Sequence, residues 1–383
     1  MLETPYYIFD EAALTARANT LRSLLPAGAG LVYAVKANPF LAWWAAKTAD
    51  RLELCSPGEA LLCEDLGIDK DRFVVSGVWK DEAFLSGLLD RGGDAAVYTV
   101  ESPAQYALLK KLAAERNVTL RLLLRLSSGN QFGMDEETLI PLALDCVSCG
   151  FLTFGGLQFY SGTQKTSLKK LGREIEKLFG LAGKLRSLGV EVPEVEYGPG
   201  FPVTYFEGET FDEPAYFAAL REMLAETGYK GRLSFETGRS FAADCGDYVT
   251  SVRDIKHTDG ANYLVTDGGI HQLSYFGQMM AMKRPFVDVA RHTAAPDGEE
   301  REYTVVGALC TVNDVLFRGL CLKNAEICDR IVFHRTGAYC VTEGIALFLT
   351  RDLPRVYLKN ADGGVNEVRG RIETKALNTP AQP

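Results

Sequence analysis

Short apolar runs rich in β-branched and aromatic residues alternate with longer amphipathic stretches through the first two thirds of the chain. The runs are LVYAVKAN (31–38), RLELCS (51–56), RFVVSG (72–77), AAVYTV (95–100), RLLLRL (121–126), FGGLQFYSG (154–162), VEYGPG (195–200) and RLSFETG (232–238). Several are almost continuous in apolar residues, the pattern of strands covered on both faces. Between them, FLAWWAAKTA, GEALLCEDLG, DEAFLSGLLDRG, SPAQYALLKKLAAERN, TSLKKLGREIEKLFGLAGKLRSLG and DEPAYFAALREMLAETG carry apolar residues at three- and four-residue spacing. Gly, Asn, Asp or Ser punctuates most of their ends. Eight strands alternating with helices over roughly 230 residues is the arithmetic of a (β/α)8 barrel of the TIM type. A doubly wound sheet is the runner-up. Against it, no G-x-G-x-x-G follows the first strand and no G-x-x-x-x-G-K-[ST] occurs.

After about residue 245 the texture changes. DYVTSVRDIKHTDGANYLVTDGG, EYTVVGALC, DRIVFHRTGAYC and LPRVYLKN are β-rich, with turn signals and few long helices. The pattern predicts an N-terminal segment 1–25 that joins a β-domain, a barrel over 26–245 and the β-domain itself over 246–383. AAPDGEER (294–301) reads as a polar loop.

Composition narrows the function classes. Against 41 basic residues stand 50 acidic ones, a formal net charge of −9, which is unsuited to coating nucleic acid or an anionic membrane. No apolar run approaches the roughly 20 residues that span a bilayer. MLETPYYIFDEAA lacks the basic start and long apolar centre of a signal peptide. A cytoplasmic protein is expected, and its nine cysteines then read as mostly reduced thiols. Cys146 and Cys149 form a C-x-x-C at the end of a helical pattern, but no second pair follows at zinc spacing, so idle thiols and no metal are expected.

In a (β/α)8 barrel the chemistry collects where strands end. Lys36, Ser56, Lys80, Arg125, the Tyr160–Thr163 turn, the GPG of 198–200 and Glu236 to Arg239 all fall there. Singly, each has a structural explanation as a turn or a solvent-reaching side chain; the coincidence across several strands favours a site. A lysine at a strand end can form an imine with an aldehyde. SGTQ and EYGPGFP offer amides and a hydroxyl suited to phosphate. A carboxylate at Glu236 could hold a proton on a heteroaromatic nitrogen. Together these describe a pyridoxal phosphate site.

The chain resembles the fold-type III pyridoxal-phosphate decarboxylases, the group of diaminopimelate, ornithine and arginine decarboxylases, over nearly its whole length. YAVKANP matches the motif of the cofactor lysine, here Lys36, and ELCSPGE the next strand end. EYGPGFP resembles the glycine-rich phosphate loop, with Gly198 and Gly200. ETGRSFAADCG resembles the E-P-G-R stretch, giving Glu236, Gly238 and Arg239, with Thr237 where proline is usual. GALCTVNDVL looks like the motif whose cysteine and aspartate, here Cys310 and Asp314, reach the partner subunit's site. GAYC resembles the segment whose tyrosine, here Tyr339, binds cofactor phosphate. The resemblance implies a homodimer with shared sites, Glu236 at the ring nitrogen, Cys310 returning a proton to the α-carbon and Asp314 holding the substrate amine.

Two departures shape the expectation. FYSGTQ places Tyr160 where the family has a histidine stacked on the ring, and Thr163 where it has serine. No histidine occurs before His257, but an aromatic ring still stacks on a pyridine face. After VTDGG the family's Arg-Pro pair is replaced by IHQLSYFGQMM, which looks more like the subgroup of siderophore, aminoglycoside and exosortase-associated pathways. The expected activity is therefore α-decarboxylation of meso-diaminopimelate, a basic amino acid or a carrier-tethered conjugate. The alternatives are an amino-acid racemase of the same fold and a catalytically silent regulatory homologue.

Overall fold

The structure is a computed structural model that describes residues 2–277, 279–293 and 298–381. It falls into two compact units, one of Met1–Ala16, Thr204–Thr210 and Ala242–Pro383, the other of Arg17–Val203 and Phe211–Phe241. The sequence pattern set boundaries at 25/26 and 245/246. The first division instead falls inside helix α1 (Glu11–Leu24), where the run of Ala and Leu continues without a turn signal to mark it. Thr204–Thr210 groups with the first unit because Glu207 N donates to Arg284 O at 2.8 Å and Lys283 pairs with Glu209 at 2.8 Å.

Strand β1 (Tyr6–Asp10) belongs to the first unit. The second unit is a closed parallel barrel of β2 (Gly30–Ala34), β3 (Arg51–Leu54), β4 (Phe73–Val75), β5 (Val97–Val100), β6 (Leu120–Arg125), β7 (Leu152–Tyr160), β8 (Glu194–Gly198) and β9 (Arg232–Thr237). These are the eight expected strands in chain order, and β2 pairs β9 to close the ring. Alternating with them run α2 (Ala42–Thr48), α3 (Pro57–Asp65), α4 (Glu82–Asp90), α5 (Pro103–Arg116), α6 (Glu136–Ser148), α7 (Leu168–Ser187) and α8 (Glu213–Glu226). Ser56, Asp81, Ser102, Asp135, Ser167 and Asp212 cap six of them, each side chain accepting an otherwise unpartnered N–H of the first turn. Helix α7 buries Leu171, Ile175, Leu178, Leu181, Ala182 and Leu185, the stripe its sequence spacing predicts.

The barrel interior is divided. Val32, Val74, Val97 and Leu123 form a dry apolar cluster. Elsewhere inside, Arg51, Glu53, Gln158, Glu194, Glu196, Ser234 and Glu236 are all buried. Gly156 permits the close β7–β8 approach: its φ is +139°, and a Cβ there would stand 1.9 Å from Glu194 O.

In the first unit the chain continues through β10 (Gly246–Thr258), β11 (Ala261–Thr266), β12 (Val287–Ala290), β13 (Glu300–Val306), β14 (Val315–Lys323), β15 (Arg330–Phe333), β16 (Arg355–Lys359) and β17 (Val365–Arg369). With β1 they make one nine-stranded, mostly antiparallel sheet. β1 lies between β10 and β16. Of the expected polar loop 294–301, residues 294–297 lie outside the described residues, and Glu300 and Arg301 already belong to β13. Among the described residues no cysteine forms a disulfide. No helix among the described residues is long and apolar enough to cross a membrane.

His334 follows β15 and bridges the strands on either side of it. Its Nδ1 lies 2.8 Å from Asp247 on β10 and its Nε2 3.0 Å from Asp288 on β12. Burial opposes its charge, but the two carboxylates outweigh burial and hold its pKa above the ordinary value. A raised folded-state pKa adds stability that is complete below the unfolded value of about 6.5 and is lost as pH rises through the folded one. His334→Asn is expected to melt below the parent protein in mildly acidic buffer, with the gap closing on the alkaline side. Melting curves across that range check this, and a gap independent of pH would contradict it.

Candidate active site

The residues at the C-terminal ends of β2, β7, β8 and β9 come together in the barrel unit. Lys36 sits in the 3-10 turn Val35–Ala37 that directly follows β2. The turn is fixed by buried Asn38, whose side chain accepts from Phe40 N at 3.1 Å and whose carbonyl accepts from the Tyr33 hydroxyl at 2.9 Å. The Lys36 side chain is 40% exposed, and its Nζ donates to Glu53 Oε2 at 2.9 Å and Cys55 Sγ at 3.4 Å. The ammonium thus reaches the barrel mouth while a buried carboxylate holds it. Burial pushes Glu53 up, but the Lys36 charge and hydrogen bond more than offset this, and its pKa is lowered.

Glu236 ends the inward row of β9, and Gln158 Nε2 donates to its Oε1 at 2.6 Å. Burial, then the Glu53 and Glu196 carboxylates, push its pKa well above the ordinary value. Deeper in the barrel, Glu196 is raised to about 7, chiefly by burial and against the pull of Arg51. Tyr160 closes another side, its ring centroid 5.9 Å from Lys36 Nζ. Burial raises its phenol pKa, so the ring is neutral.

Two glycines leave the space between these groups open. A Cβ on Gly198 would stand 2.7 Å from Tyr160 Cδ2 and 2.9 Å from Glu236 Oε2. Gly200 has φ +67°, and a Cβ there would meet Gly162 O at 2.0 Å. Arg239 Nε donates to Thr163 Oγ1 at 3.3 Å, joining the loop after β7 to the turn after β9. That loop is anchored from below by Glu174 on α7. Ser161 Oγ (2.6 Å), Lys165 Nζ (2.6 Å) and the Tyr197 hydroxyl (2.7 Å) all donate to its carboxylate. Gly238 precedes Arg239 at the end of β9.

This donor set suits pyridoxal phosphate. An exposed-end lysine, a neutral aromatic face, a buried acid facing the space and a glycine-lined turn beside an arginine match its aldehyde, ring, ring nitrogen and phosphate. Residues 11–243, more than half of the chain, match the family described as pyridoxal-dependent decarboxylase, pyridoxal binding domain. The chain belongs to that family. Its cofactor is pyridoxal phosphate and its chemistry is decarboxylation. The chain is 28% identical to diaminopimelate decarboxylase of Vibrio cholerae, over 98% of this chain and 91% of that one. It is 25% identical to L-glutamyl-[BtrI acyl-carrier protein] decarboxylase of Niallia circulans, over 93% and 89%. In fold it is similar to diaminopimelate decarboxylase of Helicobacter pylori complexed with L-lysine, with a TM-score of 0.85 at 21% identity, covering 98% and 96%.

The other strand-end candidates have structural work. Ser56 caps α3. Arg125 pairs with Glu101 at 2.7 Å. Lys80 donates to the carbonyls of Val75, Ser76 and Gly77, and burial lowers its pKa to about 8. In the first unit, Cys310 is exposed, whereas Asp314 is 2% exposed. Asp314, expected to hold the substrate amine, has backbone partners within its own unit. Its Oδ1 accepts from Ile270 N at 2.8 Å and its Oδ2 from Leu309 N at 2.7 Å, so the carboxylate clamps two loops together. Tyr339 is held at φ +67°, and its carbonyl accepts from Thr342 N and Glu343 N at 2.9 Å each. A non-glycine residue in that region costs about 1–3 kcal/mol and persists where its surroundings enforce it. Sequence reasoning missed Glu53, Gln158 and Glu196. Their alternation with apolar neighbours in RLEL, GGLQFY and EVEYG was the available signal.

Gly198→Ala is expected to fold while driving Tyr160 and Glu236 apart. Overpacking of this kind costs about 1–3 kcal/mol, so cofactor affinity should fall roughly ten-fold or more. Titration of the cofactor into the stripped variant measures it, and unchanged affinity would remove Gly198 from the cradle.

Proposed function

We propose that this chain removes the α-carboxylate of an amino acid, or of an amino acid carried on a larger group, with the cofactor seated at the C-terminal end of the barrel. The observation that supports the reading most is the convergence of Lys36, Tyr160 and Glu236 around Gly198. When bound, the cofactor supplies the electron sink for loss of carbon dioxide. Lys36 offers its Nζ for covalent anchorage, and Glu53 orients that amine. Glu236 holds a proton at the ring nitrogen, where its negative charge favours the protonated form. Tyr160 covers a ring face, and Thr163, Gly198, Gly200, Gly238 and Arg239 hold the phosphate and ring edge. A racemase is less well supported, because a carboxylate, rather than the arginine that resemblance would call for, ends β9.

A homodimer with shared sites belongs to the same proposal. Cys310 is exposed, and Val312, two residues on, is 92% exposed. Ile345, Leu347, Phe348 and Leu349 add an exposed apolar run shortly after Tyr339. Apolar groups so concentrated are typical of a surface that meets a partner. In the dimer, Cys310 of one subunit would return a proton to the α-carbon in the other's site. The named relatives act on diaminopimelate and on a carrier-bound glutamyl group. We place the substrate in that range, free or tethered to a carrier protein, and the enzyme in the cytoplasm.

Borohydride reduction of the loaded protein followed by peptide mapping is expected to find the label on Lys36, and Lys36→Ala to lose both label and carbon dioxide release. A label elsewhere would refute the assignment. Carbon dioxide release from lysine, ornithine, meso-diaminopimelate and a carrier-bound glutamyl group separates decarboxylase from silent homologue. Cys310→Ala should retain cofactor and slow turnover by about 10²–10⁴-fold, the usual weight of a general acid. Activity that survives dilution to monomer would exclude the shared site.

A further inference from the structure

The polar half of the barrel interior contains more acid than its cations neutralise. Arg51 is bonded to Glu194, which also accepts from Ser234 Oγ at 2.6 Å and from Arg121 at 3.0 Å. Arg232 reaches the same carboxylate at 3.9 Å. Lys36 is paired with Glu53. Glu196 has only a share of Arg51, and Glu236 makes no ion pair among the described residues. Glu196 is fully buried, and neither carboxylate oxygen makes a hydrogen bond, although Arg51 lies 3.3 Å from its Oε2. Gln158, directly opposite Glu196 across the β7–β8 ladder, gives its Nε2 to Glu236 and leaves its own Oε1 buried without a partner.

A buried acceptor without a donor is costly, and two adjacent buried carboxylates do not both ionise. One proton resolves both problems. On Glu196 it converts an orphaned acceptor into a donor, with the Glu236 carboxylate and Gln158 Oε1 as acceptors on either side. We propose that Glu196 and Glu236 form an acid pair that keeps one proton between them, and that Glu196 is a positioning residue that leaves Glu236 free to be the anion opposite the ring nitrogen. The groups that face the pair are Arg51 and Glu53 from β3, Glu194 from β8, Gln158 from β7 and Lys36 after β2. Burial and like-charged neighbours raise both carboxyls, Glu196 to about 7 in spite of Arg51 and Glu236 well above the ordinary value, which accords with one proton retained by the pair. The proton moves only between the two carboxylates, so no other reactant is required.

The pairing stands on the barrel's own side chains; the positioning role rests on the proposed function. The test separates them. In full-length protein carrying ¹³C-labelled glutamate, infrared spectra without cofactor are expected to show a protonated-carboxyl band at neutral pH. Glu196→Gln and Glu236→Gln should each shift and weaken it, because one member of the pair is gone while burial still holds up the other. A band absent from the parent protein, or unchanged in either variant, overturns the pair. Pyridoxal phosphate is then titrated into each protein. Glu196→Gln, which keeps a neutral donor, should bind within about three-fold of the parent, and Glu196→Leu at least about ten-fold more weakly. If Glu196→Leu fails to fold, the affinity and near-neutral absorbance of Glu196→Gln decide instead. Equal binding by Leu and Gln variants, or loss of binding in Glu196→Gln, overturns the positioning role while leaving the cofactor assignment of Lys36 to its own trapping test.

Discussion

Charge buried inside a closed barrel must find a partner there, because the strands shut it off from bulk solvent. Glu53, Glu194, Glu196 and Glu236 all lie within this barrel, with Arg51 and Lys36 bonded among them. The pairing is graded along the strands. At the N-terminal ends, Glu194 takes Arg51 and the half-exposed Arg121 and Arg232, a saturated cluster suited to holding strands in register. At the C-terminal ends, Lys36 is engaged by Glu53 yet remains open to solvent, and Glu236 accepts from the Gln158 amide. Unmet demand for positive charge therefore sits at one end, facing the space lined by Gly198 and Gly200. In the proposed site, that is the end that meets a cationic ring nitrogen.

Glycine and anchoring work together in keeping that space open. Gly156 lets β7 approach β8, and Gly198 lets Tyr160 and Glu236 stand on either side of one backbone. The mobile partner in this arrangement would be the loop after β7, but Glu174 gathers three donors from it and from β8. The site is thus carried by strand ends and one loop bolted to a helix, which is how a constellation keeps its geometry within a fraction of an ångström.

The barrel was legible because a strand covered on both faces is largely apolar, several of the eight runs were nearly continuous in apolar residues, and all eight alternated with helical stretches. Lys36, Glu236 and the 198–200 turn were legible because a lysine, an acid and a glycine turn at strand ends are locally odd. What the pattern hid was the polar half of the interior. Arg51 and Glu53 in RLEL, or Glu194 and Glu196 in EVEYG, have the alternation of a solvent-facing strand, and only closure of the sheet turns those side chains inward. Asp314 shows the opposite limit. Its motif advertised a substrate contact, while the two backbone N–H groups that occupy it, at Ile270 and Leu309, cannot be read from sequence. In the β-rich part, β12, β14 and β17 were missed, since short strands broken by Gly or charge look like loops until their neighbours are known.

Tyr160 brings these threads together. A histidine in its place could carry positive charge against the ring; the phenol, with its pKa raised by burial, cannot. In the proposed site, the charge that stabilises a protonated ring nitrogen must then come wholly from below, from Glu236. A single carboxylate there would compete with Glu53 for the Lys36 ammonium and be repelled by Glu196 if that group were ionised. Keeping Glu196 neutral removes the repulsion and supplies a donor that steadies Glu236 without cancelling its charge. The acid beneath and the tyrosine above are in this sense one arrangement: an uncharged aromatic face is tolerable where the opposite edge of the ring is met by an anion whose neighbours have been made neutral.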